Sequence, residues 1–179
     1  MRSKRETSRY QLPLFTSPKN PTLSDDAIPY DVTIYRVALV RESSIQVPEK
    51  RLRNSQDAAS LIRKYLQGAD REHFVALLLN RKNAMIGLNT VSVGTLTASL
   101  AHPREIFKAA ILANAAAIVC AHNHPSGDPQ PSSEDRVLTK RLVEAGKLLG
   151  IEVVDHIIVG DGTEAYFSFA DNNLLDRSS

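Results

Sequence analysis

A chain of 179 residues with 42% hydrophobic residues is long enough to bury its own core without help from disulfides or metals. A formal net charge of +2 is too small to argue for nucleic acid by itself, and a single cysteine excludes an internal disulfide and suits a reducing compartment. No apolar run of the ~18 residues a membrane helix needs is present, and the opening MRSKRETSRY lacks the apolar centre of a signal peptide. A cytoplasmic protein is expected.

Residues 1–29 carry Pro13, Pro18, Pro21 and Pro29 among polar and basic side chains, with QLPLF as the only apolar patch. This reads as a flexible arm, in which Arg2, Lys4, Arg5 and Arg9 are either solvated or contact nucleic acid or another partner. Residues 30–50 form an extension in which YDVTIYRVALV alternates as a strand does. The main domain is expected over 51–170, with a tail over 171–179.

Within that domain, Ser55 is placed to cap QDAASLIRKYLQ, whose Ala58, Leu61, Ile62, Tyr65 and Leu66 recur at helical spacing, and Gly68 stops it. FVALLLN reads as a strand buried on both faces, followed by strands in MIGLNTVSVG and TLTASLA. Pro103 opens the helix PREIFKAAILAN with Glu105 in its first turn, where the helix dipole favours an acid. AAAIVCA is another buried strand. SSEDRVLTKRLVEAGKLLG reads as an amphipathic helix with an apolar stripe of Val137, Leu138, Leu142, Ala145, Leu148 and Leu149, ended by Gly150. IEVVDHIIVG and AYFSFA close the chain as strands around GDG. Strands interleaved with three helices predict an α/β domain, a mixed sheet flanked by helices.

The segment AHNHPSGDPQPSSED, residues 121–135, carries the chemistry. Side chains two apart on a strand share a face, so His122 and His124 project together, as two ligands of a zinc-like ion would. The Pro- and Gly-bearing loop that follows can return Asp135 to the same point. Two imidazoles and one carboxylate leave a fourth position open, which marks a catalytic metal site, and water there reaches a pKa of about 7. The competing reading is a helix start: Ser132 and Asp135 have the spacing of a capping box. That accounts for the serine and the aspartate but leaves the paired histidines unexplained. Cys120, on the same strand face as His122, opens a cysteine–histidine alternative, against its reading as a small buried residue. Asp155 and His156 are neighbours on one strand and so face opposite ways; one of them is placed to support a ligand imidazole. His73 reads as a strand-edge residue and His102 as a helix-start residue.

His-x-His, seven residues, then Ser-x-x-Asp matches the signature of JAMM (MPN-type) metalloproteases. The fuller strings HPREIFKAAILANAAAIVCAHNHPSGDPQPSSED and AGKLLGIEVVDHIIVGDG resemble the bacterial RadC family. The resemblance implies a cytidine-deaminase-like α/β fold and one zinc held by His122, His124 and Asp135. It implies hydrolysis of a peptide or isopeptide bond, with Ser132 steadying the oxyanion and an upstream glutamate as general base. Glu72, just before FVALLL, fits that role, and Glu105 is the second candidate. Full-length relatives carry a helix-hairpin-helix region that residues 1–50 do not show. A different class of function, a DNA-repair-associated accessory protein, would use the basic arm with Arg51, Arg53, Arg63 and Lys64 on phosphates. Two imidazoles and a carboxylate would also accept iron, cobalt or nickel.

Overall fold

The computed structural model describes residues 32–47, 49–94 and 102–175. Contacts divide the chain into two units, Met1–Val37 and Ala38–Ser179. The arm over 1–29 and the strand expected in TLTASLA (95–101) lie outside the described residues. Residues 32–47 form neither helix nor strand, which corrects the strand expected over YDVTIYRVALV. Alternation alone does not make a strand. Its backbone N–H and C=O groups also need a neighbouring edge, and no described strand pairs with this segment.

In the second unit, α1 (Ser55–Tyr65) is capped by Asn54, whose side chain accepts from the Asp57 N–H at 2.8 Å. The cap therefore falls one residue before the expected Ser55. Ser55 instead turns its hydroxyl to Tyr166 and Asp171. Strands β1 (His73–Leu79) and β2 (Met85–Val93) follow, then α2 (Pro103–Leu112), β3 (Ala117–His124), α3 (Ser133–Leu149), β4 (Glu152–Gly160) and β5 (Tyr166–Ser168). His102 caps α2 through its ring Nδ1, which accepts from the Arg104 N–H, and Pro103 sits at the first turn.

The five strands make one mixed sheet in the order β2-β1-β3-β4-β5, with β3 and β4 parallel and every other pair antiparallel. The fold is α/β with a mixed sheet, as expected. Among the described residues no helix is long and apolar enough to cross a membrane.

Strand alternation sorts the core into two halves. Val75, Leu77 and Leu79 of β1, Ala117, Val119 and Ala121 of β3, and Ile157 and Val159 of β4 pack on α1. Phe74, Ala76, Leu78, Ile118 and Cys120 face α2 and α3. The α3 stripe differs from the expected one. Asp135, Leu138, Thr139, Leu142, Val143 and Gly146 are buried, whereas Val137, Leu148 and Leu149 are exposed. Two polar residues and a glycine belong to the inward face, so counting apolar residues alone rotates the helix. Gly146 lies where an added Cβ would meet the Ile151 carbonyl, letting α3 settle close to the sheet.

Candidate metal centre

The candidate site lies where β3 ends. In the β3–α3–β4 unit, β3 and β4 run parallel, and their carboxyl ends open next to the N-terminus of α3, the usual location of sites in α/β sheets. β1 runs antiparallel to β3 with Phe74 opposite His122. Its entry point, Glu72, therefore arrives beside His124.

The two histidines project from one face of β3, as the spacing predicts. Their Nε2 atoms are 3.1 Å apart. Asp135, in the first turn of α3, brings Oδ1 to 3.2 Å from His122 Nε2 and Oδ2 to 3.7 Å from His124 Nε2. Glu72 Oε1 stands farther back, at 4.0 Å and 3.9 Å from the same two nitrogens. Ligand atoms of Glu72, His122 and His124 all lie within 4.8 Å of one another, a set able to hold a metal ion. Glu105 is elsewhere, in the first turn of α2, with its carboxylate on Lys108 and Arg104.

Ser132 is the N-cap of α3 and forms a full capping box with Asp135: its hydroxyl oxygen accepts from the Asp135 N–H at 3.1 Å and its backbone N–H donates to Asp135 Oδ2 at 2.8 Å, while its hydroxyl also donates to that oxygen at 2.6 Å. Capping and clustering therefore coexist in one carboxylate, with Oδ2 engaged by the helix start and Oδ1 turned to His122. The first turn of α3 orients the carboxylate that faces the imidazoles.

The turn between β3 and α3 is held by close backbone packing. Gly127 has φ +82°, and an added Cβ on Gly160 would lie 2.1 Å from the Gly127 carbonyl oxygen. The His124 carbonyl accepts from both Gly127 and Asp161 N–H groups. These contacts seat the loop so that the Asp128 carbonyl reaches His124 Nδ1 at 2.7 Å. A carbonyl only accepts, so Nδ1 carries a proton and a neutral His124 offers a lone pair at Nε2.

Electrostatics agree with the geometry. Burial raises the Asp135 pKa, but the imidazoles of His122 and His124 that face it outweigh it and hold the carboxyl far below the usual carboxylate range. The Asp135 carboxylate facing it pushes His124 up. Two imidazole nitrogens 3.1 Å apart beside an ionised carboxylate hold together around positive charge, a proton or a metal ion. That donor set fits a divalent cation that accepts nitrogen and oxygen ligands. Cys120 is fully buried, and burial pushes its thiol up, which removes the thiolate that the cysteine–histidine alternative needs.

Asn123 and Thr139, which no sequence motif singles out, complete the site together with His156. Asn123, fully buried between the two histidines, points to the opposite face. Its side-chain oxygen accepts from the His73 N–H at 2.8 Å, and its amide donates to the Arg71 carbonyl at 3.1 Å and to Asp161 at 2.9 Å. The residues on either side of Glu72 are thus fastened to β3. His156 contacts His122 Nδ1 at 3.0 Å, and Thr139 contacts His156 Nδ1 at 2.6 Å. Asp155 faces the other way, accepting from Ser168 and from the Ala170 N–H, so of that adjacent pair it is His156 that supports the imidazole.

The sequence profile of the RadC-like JAB domain matches residues 52–174, which include every residue of this cluster. The chain belongs to the RadC-like JAB domain family. A UPF0758 protein of Moorella thermoacetica is 55% identical over 124 residues, covering 69% of this chain and 53% of that protein. A UPF0758 protein of Rubrobacter xylanophilus is 56% identical over 119 residues, 66% of this chain and 51% of that one. A third, from Methanosarcina mazei, is 40% identical over 142 residues, 79% and 61% respectively. The chain spans about half the length of curated relatives such as the first two. The RadC-like JAB chain thus shares its core domain with longer proteins.

Proposed function

We propose that this RadC-like JAB domain is a zinc-dependent hydrolase of the JAMM type that cleaves a peptide or isopeptide bond. The supporting observation is the convergence of His122, His124 and Asp135 on one point with Glu72 standing back from it. His122, His124 and Asp135 would hold the ion. Zinc, when bound there, polarises a carbonyl and lowers the pKa of water to near 7.

The remaining work falls to side chains. Glu72, about 4 Å from both Nε2 atoms, stands where its carboxylate can hold a water beside the ligand point. From there its carboxylate takes the proton of the attacking water and returns it to the leaving amine, so the amine departs neutral. Ser132 changes partner during the reaction: its hydroxyl swings from Asp135 Oδ2 to the developing oxyanion. Asp135 keeps the Ser132 backbone N–H throughout. A glutamate close to the nitrogens but beyond hydrogen-bond reach suits a proton carrier better than a ligand.

The test is a panel of peptides joined through α-amide and lysine ε-amide bonds, incubated with the zinc-loaded protein and followed by mass spectrometry. Cleavage by the native chain and its loss in Glu72→Gln, with zinc content unchanged, is the expected result. No cleavage of any amide, or equal cleavage by Glu72→Gln, would contradict the proposal.

A further inference from the structure

We propose that His156 and Thr139 are positioning residues that lock His122 in the Nδ1–H tautomer, so that its Nε2 lone pair faces the ligand point. The assignment follows from counting protons along a buried chain. Thr139 Oγ1 lies 2.6 Å from the Asp135 backbone carbonyl and 2.6 Å from His156 Nδ1. The hydroxyl has one proton and the carbonyl has none, so the hydroxyl donates to the carbonyl and accepts from His156 Nδ1–H. A neutral His156 protonated at Nδ1 has a bare Nε2. That atom is 3.0 Å from His122 Nδ1, which must therefore supply the proton. In a neutral His122 the lone pair is then at Nε2, 3.1 Å from His124 Nε2 and 3.2 Å from Asp135 Oδ1, the acceptor that would otherwise draw the ring proton to that side.

Away from the ligand point, where Asp135 and His124 face His122 Nε2, the two rings meet apolar neighbours among the described residues. His122 and His156 are fully buried. Phe74 stacks on His122 with centroids 5.9 Å apart, and Phe169 stacks on His156 at 5.0 Å. The relay is also closed: it begins at the His122 ring and ends at the backbone of Asp135, whose side chain faces that same ring. The position of one candidate ligand thereby sets the orientation of another.

A backbone irregularity makes this possible. β3 and β4 pair Ile118 with Val153 but Val119 with Asp155, so Val154 is an extra residue in β4. With unbroken pairing, Asp155 would lie opposite Cys120 and His156 would face α1. The bulge reverses that parity and puts a neutral imidazole, rather than a carboxylate, beneath His122. The consequence for metal affinity rests on the zinc reading above. The tautomer does not, because it is read in the metal-free protein.

The experiment is nitrogen-15 NMR of the histidine rings in metal-free protein at mildly alkaline pH, with zinc titrations alongside. Native protein should show His122 protonated at Nδ1 and bare at Nε2. Thr139→Val removes the acceptor at constant shape; it should let His122 populate both tautomers and weaken zinc binding about 10- to 100-fold, while Thr139→Ser restores both. Thermal melts separate this from unfolding, and if the valine variant does not fold, the native tautomer decides alone. His122 bare at Nδ1 and protonated at Nε2 in the native chain, or an unchanged tautomer in a folded Thr139→Val, would overturn the proposal. The expected tautomer in a protein that takes up no zinc would support the relay and refute the zinc reading instead.

Discussion

The two faces of β3 obey different rules. On the α1 side, Ala117, Val119 and Ala121 are plain apolar contacts, and the polar exception at the end, Asn123, is spent on holding β1. On the α2/α3 side the apolar run stops at Cys120, and beyond it lies a buried polar chain of His122, His156 and Thr139. One face fixes where the strand is. The other fixes what its end presents. The difference teaches that the site is supported from within the core, by side chains that a surface view of the cleft would miss.

If the faces divide the work in this way, substitutions on them should separate stability from metal binding. The largest stability loss is expected from Ile157→Ala, a fully buried side chain on the α1 side. It should cost about 2–5 kcal/mol in urea unfolding while zinc stoichiometry stays the same in the folded fraction. A variant that lost zinc at equal folded population would break the division. Asn123→Ala leaves the Arg71 carbonyl, the His73 N–H and Asp161 short of a partner, so a loss of about 1–3 kcal/mol is expected. Proteolysis near Arg71 should rise with it, because the entry to β1 is released. Ser132→Ala removes the α3 cap and should cost about 1 kcal/mol.

The smallest effect is a dependence on pH. The facing Asp135 carboxylate raises the His124 pKa above its ordinary value of 6.5. The contribution of that pair is therefore fully present below 6.5 in metal-free protein and is lost as pH rises through the raised value. Melting temperatures should show a slight downward step in metal-free protein and none with zinc, since the ion then supplies the positive charge.

Much of the fold and of the candidate metal cluster is legible in the amino-acid sequence. Pro103 and Gly150 bound their helices as punctuation does, and the two-residue period of a strand puts His122 and His124 on one face. The features that escape sequence patterning share a cause: tertiary context decides them. The inward face of α3 is hidden because Asp135 and Thr139 are polar yet point inward, drawn there by the cluster they serve. The choice between Asp155 and His156 depends on one bulged residue, and no periodicity reports a bulge. Asn123 is overshadowed by its conspicuous neighbours, although its place on the strand already puts it on the opposite face.

The central claim is that Asp135 both caps α3 and completes a metal centre. Metal content by mass spectrometry tests it most directly, on native protein beside Asp135→Ala and Ser132→Ala. Both variants break the capping box, but only one removes a candidate ligand. About one zinc per chain in the native and Ser132→Ala proteins, with most of it gone from Asp135→Ala, is the predicted result. Zinc kept by Asp135→Ala, or lost equally from both variants, would contradict the account.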